Sequence, residues 1–461
     1  MIIRSIRPFS VKETTDRTNP PSAQSRFPLA ITFVIASWAA LILLVSMSHL
    51  TMQRHAVAEL NYLDDFTVYW DAAKEVAAGR TPYGWIENGT PKGSYLYPPF
   101  LALALAPVTR LVEFTTARWG WYLFSALCLG LGILISARTS RLSLRGRPVL
   151  ALAPCGIALL PPAILTLATG QVAPQVLLAF AGAYHGICFK GPIVSGFSIA
   201  AGAYLKSFPG LLAGYLLLRR RWTALVSTIL FGAAFVTFSV VLLGWDPHWM
   251  YLTAAIPLQN SLFAAPFNVS ITGLLTRILV ENAFTVPFIS IGPTTATLLI
   301  ALVTGFILVL TAQAIWRASP RDEDAAFGLA VVTALLASPI NGYYNLVICV
   351  IPLAILARRA QDEWPRHFRW LLVTALLLAM PIELHDLLPA DYPWWRDGLG
   401  NLLTSGPLFG LLALWVALMR ICCRAESGPV ASRQAASLRT RAALNESWNG
   451  RVLVIHRYPL S

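Results

Sequence analysis

Residues 293–317 read PTTATLLIALVTGFILVLTAQAIWR, an apolar run with no ionisable side chain until Arg317 ends it. A helix needs about 20 mostly apolar residues to cross the hydrocarbon core of a bilayer. This stretch therefore predicts a membrane-spanning helix, and its terminal arginine indicates that this end faces the cytoplasm.

Similar runs recur along the whole chain. Of its 461 residues, 56% are hydrophobic and only 12% are charged, whereas soluble domains average about 25% charged residues. This composition excludes a soluble fold and predicts an all-α, polytopic membrane protein with about twelve spans. The predicted spans cover residues 28–50, 115–137, 149–168, 172–188, 192–205, 208–218, 222–244, 293–316, 325–338, 343–357, 370–388 and 399–421.

The net charge of +13 would suggest nucleic acid in a soluble protein, but the basic residues here fall in alternate loops. By the positive-inside rule these loops and both termini are cytoplasmic, which predicts an inner-membrane protein with no nucleic-acid partner. Residues 1–27 form a cytoplasmic lead, 28–422 a transmembrane domain and 423–461 a polar cytoplasmic tail. Residues 97–111 are predicted to be an interfacial helix, because a span there would place the arginine-rich loop at 138–147 on the outer side of the membrane.

The centres of the predicted spans carry almost no Asp, Glu, Lys or Arg. Ion-coupled carriers usually need such groups near the membrane midplane. The polar residues gather instead in two outer loops, 49–113 and 245–292, and in short outer turns. This distribution favours an active site at the outer, periplasmic face over a transport path.

The first outer loop opens at residue 64 with DDFTVYWDAAKEVAAGRTPYG, which predicts a short helix capped by Asp64 or Asp65 and ended by Gly79. Asp65 and Tyr69 are four residues apart and share a helix face. The positive end of the helix dipole favours an ionised aspartate, so Asp65 is a candidate general base. A purely capping role is the alternative, although two adjacent aspartates leave one free of that task.

Polar groups in the outer turns provide candidate substrate ligands. Lys206, in AYLKSFPG, is a lone cation in an apolar hairpin on the side where positive residues are scarce. It is expected either to bind a phosphate or to snorkel to the membrane surface. The other candidates, each of which could equally be a loop cap, are Gln171 in ATGQ, Asn268 and Arg277 in the second outer loop, and Tyr343 and Tyr344 with Asn341 and Asn345 in SPINGYYN.

Six segments together resemble glycosyltransferase family 87, the polyprenol-phosphate-mannose-dependent mannosyltransferases of the GT-C class. The likeness spans roughly residues 64–356, with the segments in the family's order. It departs at SPINGYY, where relatives often carry an aromatic residue and histidines. The segments are DFTVYWDAAKEVAAGRTPYG (65–84), YLYPPFLALALAP (95–107), ATGQ (168–171), AYLKSFPGLLAGYLLLRRRW (203–222), FNVSITGLLTRI (267–278) and ASPINGYYNL (337–346).

This resemblance implies an inverting hexosyltransferase, with mannose as the expected sugar. Asp65 matches the family's base, and the turn at Lys206 is expected to face the donor phosphate, with Asp64 and Tyr69 nearby. The implied partners are a polyprenyl-phosphate-sugar donor, a glycolipid or glycan acceptor and the lipid bilayer. No cofactor is expected, and no metal is required, although Asp64 and Asp65 together could bind one. The alternatives are a flippase or exporter of lipid-linked sugars and a scaffold subunit.

The arginine distribution generates a testable topology. A cysteine introduced beside Gly79 should react with a membrane-impermeant maleimide added to intact spheroplasts. A cysteine replacing Arg145 should react only after the membrane is opened. Each cysteine is introduced on its own into a variant that lacks the native cysteines. Reaction of both positions from the same side would contradict the topology and the interfacial helix.

Overall fold

The computed structural model describes residues 65–83, 86–87, 90–91, 95–143, 152–380, 400–402 and 405–424. This part of the chain is built from helices, with one antiparallel ladder that pairs Ile86–Glu87 (β1) with Thr90–Pro91 (β2). The predicted first span at 28–50, Asp64 and nearly all of the tail lie outside the described residues.

The helices follow one another with short connections. A π-helical turn covers Tyr251–Ala255, and 3₁₀ turns cover Phe208–Leu211, Pro320–Asp322 and Tyr343–Cys349. The α-helices are α1 (Asp65–Ala77), α2 (Pro99–Leu111), α3 (Phe114–Thr139), α4 (Leu152–Thr169), α5 (Ala173–Cys188), α6 (Pro192–Leu205), α7 (Leu212–Leu218), α8 (Trp222–Leu243), α9 (Asp246–Met250), α10 (Ile256–Gln259), α11 (Ile271–Leu279), α12 (Pro293–Arg317), α13 (Glu323–Ala337), α14 (Val350–Asp362), α15 (Arg366–Leu378) and α16 (Gly406–Cys422).

Five helical stretches among the described residues are long and apolar enough to cross a membrane. They are α3, α4, α8, α12 and the continuous stretch Tyr343–Asp362. The predicted all-α membrane architecture is therefore confirmed, while the count of twelve spans stays a prediction. Shorter apolar helices, including α6 and α16, coincide with other predicted spans.

The basic loops meet at one end of the helices. Arg219 and Arg221 both pair with Glu323 at the start of α13, with 3.1 Å between the Arg221 guanidinium and the carboxylate. Arg359 in α14 pairs with Asp324, also in α13, at 2.6 Å. Three of the predicted cytoplasmic loops are thus neighbours, as the alternation of arginines along the sequence requires.

The amphipathic helix α1 lies at the other end and is fixed by aromatic contacts. Phe66 stacks on Trp121 and Phe114 of α3, with ring centroids 5.7 Å and 5.8 Å away. The helix ends before Gly79, whose φ of +74° only glycine adopts without strain. The predicted helix and its glycine stop are both confirmed.

Helix α2 also forms as the sequence predicts, and it packs along α1. Its 13 residues reach only about 20 Å at 1.5 Å per residue, which is too short to cross a bilayer. Pro99 starts it, as a proline at the first helical position favours. Its place at the membrane interface stays a prediction.

The turn at Gly170 between α4 and α5 joins α1 and α2, together called the outer assembly, to the membrane helices. Its carbonyl oxygen accepts a hydrogen bond from Trp121 Nε1 at 2.6 Å. Gly170 has a φ of +73°, and a Cβ there would stand 2.8 Å from the Cβ of Phe66. Only glycine therefore lets α1 approach this turn, which carries Gln171 into the neighbouring interior.

Gly170→Ala should destabilise the protein by roughly 1–3 kcal/mol, because the new methyl group overpacks against Phe66 and strains the backbone. Gly120→Ala is the matched control, since Gly120 is helical and nothing lies near its Cβ position. It should be neutral or stabilise by less than about 1 kcal/mol. Melting temperatures in detergent test the pair, and equal values for both variants would contradict the packing described.

Candidate active site

Asp65 is the first residue of α1 and is half-buried at the end of the molecule opposite the arginine loops. One turn later on the same face, Tyr69 is fully buried. The exposed face of α1 carries Asp71 and Lys74, which form a loose ion pair at 3.8 Å. Asp65 and Glu75 are both partly sheltered, but Glu75 pairs with Arg80, whereas the charge of Asp65 acts on Tyr69 and Lys206.

The Tyr69 hydroxyl enters a buried hydrogen-bond cluster with Tyr97 and Gln171. It lies 3.0 Å from the Tyr97 hydroxyl and 3.3 Å from Gln171 Oε1, and Tyr97 donates to the same Oε1 at 3.2 Å. Burial raises the pKa of both tyrosines above the usual value, and the nearby Asp65 raises it further. Both phenols therefore remain protonated at neutral pH.

Lys206 follows α6 in an extended conformation that turns its side chain away from the helix. Its Nζ donates to Asn345 Oδ1 at 3.1 Å and lies 5.0 Å from the Tyr344 ring centroid and 5.6 Å from that of Tyr97. Both distances fall within the range of cation–π attraction. The ammonium group is therefore held between two aromatic rings and one amide oxygen.

The electrostatics of Lys206 balance two opposing effects. Burial lowers the pKa of Lys206 to about 8, and the negative charge of Asp65 partly offsets that fall. Among the described residues, the hydrogen bond of the ammonium group goes to the neutral amide oxygen of Asn345, while Asp65 acts on it through its charge. The ammonium group therefore stays charged at neutral pH, and its hydrogen-bond acceptor does not neutralise it.

The structure thus brings together six of the residues singled out in the sequence. With Tyr97 they form a cluster that combines one carboxylate, one ammonium group, three phenols and two amides. The six are Asp65, Tyr69, Gln171, Lys206, Tyr344 and Asn345.

Three other candidates are bound to the protein itself. Asn268 is fully buried and donates to the carbonyl oxygens of two neighbouring loop segments. Arg277 donates to Ala265 O at 3.0 Å and to Ser405 Oγ at 3.1 Å, and burial lowers its pKa to about 10. Tyr343 donates to Leu378 O at 3.0 Å. These contacts fix the outer loops, so a direct role at substrate stays a prediction for all three.

Tyr97 was not among the candidate ligands predicted from the sequence. It was placed at the start of the predicted interfacial helix 97–111, where a tyrosine is common because its ring suits the membrane interface. The partners of Tyr97 come from α1 and from the Gln171 turn, 74 residues further along the chain. A contact of that separation leaves no local periodicity that could have revealed it.

The described residues contain no group of three or more His, Cys, Asp and Glu side chains placed to hold a metal ion. Asp64, which with Asp65 was a possible metal ligand, lies outside those residues. The charged groups that the described site offers to a substrate are therefore Asp65 and Lys206.

Comparison with known proteins places this site in a family. The family model for glycosyltransferase family 87 matches residues 95–339, which is more than half of the chain. The match includes Tyr97, Gln171 and Lys206, starts after Asp65 and ends before Tyr344. No curated protein matches the chain. The extent of the family match shows that the chain belongs to glycosyltransferase family 87 and is a membrane glycosyltransferase.

Proposed function

We propose that this protein transfers a hexose, with mannose the first candidate, from a polyprenyl-phosphate donor to a glycolipid or glycan acceptor of the cell envelope. The reaction takes place at the outer face of the inner membrane and inverts the anomeric carbon. The observation that carries the proposal is the convergence of Asp65 and Lys206 in one aromatic site.

One base and one cation are sufficient for this reaction. Glycosidases need a second carboxyl group, because their alcohol leaving group must be protonated. A polyprenyl phosphate leaves as a stabilised anion, so no general acid is required. Asp65 takes the acceptor's hydroxyl proton as the new bond to the anomeric carbon forms. The bond to the phosphate oxygen breaks, and Lys206 stabilises the charge that collects there.

The neutral groups of the cluster suit the sugar. The Tyr69 and Tyr97 hydroxyls are neutral and hold Gln171 Oε1, and the rings of Tyr97 and Tyr344 lie near Lys206. Gln171 Nε2 is buried and has no hydrogen bond of ordinary geometry to the described residues. A buried donor of this kind costs about 1–3 kcal/mol, and a sugar hydroxyl in the site would satisfy it.

The direct test is to incubate the purified protein with labelled polyprenyl-phosphate hexoses and a membrane extract, and then to identify the glycosylated product. A transferase moves the label into a new lipid or glycan. A flippase or exporter changes only the leaflet in which the unaltered donor is found. Label that moves between leaflets without changing carrier would overturn the proposal.

Lys206→Met should raise the donor KM roughly ten- to a hundredfold, as expected for the loss of one charged hydrogen bond, while Lys206→Arg should retain more activity. Because only the protonated amine binds phosphate strongly, kcat/KM for the donor should fall as pH rises through about 8. Bound phosphate stabilises the ammonium form, so kcat should fall only at higher pH.

Lys74→Met is the matched control for Lys206→Met, since Lys74 is an exposed lysine of the same outer assembly. It should leave the donor KM and the pH profile unchanged. Lys206→Arg should lose the decline at alkaline pH, because the guanidinium stays charged. Wild-type donor use by Lys206→Met would leave snorkelling as the role of this lysine.

Asp65→Asn should reduce transfer by about a hundred- to ten-thousandfold, the usual contribution of a positioned base. Asparagine preserves the size of the side chain and its ability to cap α1, so the variant should fold and still bind donor. Single-turnover transfer and donor binding should be measured on the same preparation.

Two aspartates serve as controls for this variant. Asp71→Asn changes an exposed carboxylate on the outer face of α1 and should be fully active. Asp64→Asn tests the neighbouring residue. Activity in Asp65→Asn with loss in Asp64→Asn would move the base by one position, and activity in both would refute the mechanism.

A further inference from the structure

Lys206 stands at one end of a chain of three asparagines, of which Asn345 and Asn341 lie in one short segment and Asn268 lies 73 residues before Asn341. Its Nζ donates to Asn345 Oδ1 at 3.1 Å, and Asn345 Nδ2 donates to Asn341 Oδ1 at 3.1 Å. The backbone N–H of Asn341 in turn donates to Asn268 Oδ1 at 2.9 Å. All three asparagines are fully buried, so water does not compete for these bonds.

The direction of the first two bonds in the chain follows from Lys206. An ammonium group can only donate, so Asn345 must turn its oxygen toward Lys206 and its NH₂ group toward Asn341. Asn341 must then present its own oxygen to Asn345. At the far end, Asn268 donates to Phe263 O and Pro339 O, both at 3.0 Å, which fixes its oxygen toward Asn341.

The chain is anchored on backbone at a point where two loops are joined. Asn268 and Gly342 form an isolated antiparallel bridge, and Tyr343 N donates to Phe267 O at 2.9 Å. Gly342 also lies against the Tyr344 ring, where a Cβ would stand 2.3 Å from it. The loop carrying Asn341 and Asn345 is thereby held against the second outer loop.

We propose that Asn345 and Asn341 are positioning residues that aim the Lys206 ammonium at the donor phosphate, with Asn268 as their fixed end. This inference rests on the proposed function of Lys206. A neutral amide holds the cation in place without neutralising it, whereas a carboxylate in the position of Asn345 would compete with the phosphate. The chain couples Lys206 to Asn268 of the second outer loop.

One atom of the chain offers a competing explanation. Asn341 Nδ2 is buried and has no hydrogen-bond partner among the described residues, so it could bind substrate directly. Asn341→Asp separates the two roles, since it keeps an oxygen for Asn345 Nδ2 but replaces the NH₂ group. Asn341→Leu removes both. A positioning role predicts function in the aspartate variant and loss in the leucine variant, whereas direct binding predicts loss in both.

The first experiment does not depend on activity. The rate of Lys206 acetylation by acetic anhydride, measured against pH by mass spectrometry with Lys74 as internal standard, reports how readily the ammonium loses its proton. Asn345→Leu and Asn341→Leu should lower the midpoint by about one pH unit, the equivalent of about one charged hydrogen bond. Asn341→Asp should leave it unchanged or raise it.

The other groups around Lys206 do not confuse this measurement. They are Asp65 from α1, Tyr97 from the segment before α2 and Tyr344 from the 3₁₀ turn, and none is altered in these variants. Asn260→Leu is the matched control, because Asn260 is exposed and bonds only to Ile256 O of its own turn. Its midpoint should equal that of the wild type.

The second experiment is kinetic. Asn345→Leu and Asn341→Leu should raise the donor KM about tenfold or more with little change in the acceptor KM, and Asn341→Asp should restore it. If Asn345→Leu fails to fold, Asn341→Leu decides the point, since it leaves Asn345 in place. An unchanged acetylation midpoint in the leucine variants overturns the positioning role. An equal rise of the donor KM in Asn341→Asp and Asn341→Leu overturns it as well. If the wild type uses no polyprenyl-phosphate sugar, the proposed function is wrong. The acetylation midpoints still test whether the asparagine chain holds the Lys206 ammonium.

Discussion

Burying an ammonium group on a neutral amide acceptor without losing its charge is the constraint on which the candidate site depends. Moving a charge out of water is costly, and the usual remedy is a salt bridge. Lys206 has Asn345 Oδ1 and the faces of Tyr97 and Tyr344 instead. These groups stabilise the cation while leaving its net charge intact, which a carboxylate partner would not do.

This arrangement needs elements that are far apart in the chain. Tyr97 precedes α2, Lys206 follows α6, and Asn345 and Tyr344 lie in a 3₁₀ turn after α13. Each comes from an end of a helix, because the apolar interiors of the helices cannot hold such groups. The packing of Phe66 against Trp121, and the glycine that lets α1 approach, then add Asp65 to the same place.

Much of this could be predicted from the sequence where the signal was local. The arginine alternation, the helix from Asp65 to Gly79, the helix started by Pro99 and the isolation of Lys206 all depend on neighbouring residues. The sequence could not reveal which residues far apart in the chain form hydrogen bonds with one another. Arg277 was predicted from the sequence as a candidate substrate ligand or a loop cap, and its guanidinium lies on Ala265 O and on Ser405 Oγ, the latter 128 residues away. Tyr97 was missed for the complementary reason, since its partners are equally remote.

The choice of amides over carboxylates around Lys206 also bears on the proposed chemistry. In a displacement from a phosphate leaving group, the cation is most useful if its attraction strengthens as negative charge collects on the leaving oxygen. A lysine already neutralised by a carboxylate would have to break that pair first, and the cost would be subtracted from the stabilisation of the transition state. Asp65 acts on Lys206 through its charge, so the proton that the carboxylate gains during transfer would remove a competing attraction at the moment when the phosphate needs the ammonium most. In the proposed reaction, base and cation would in this way reinforce each other.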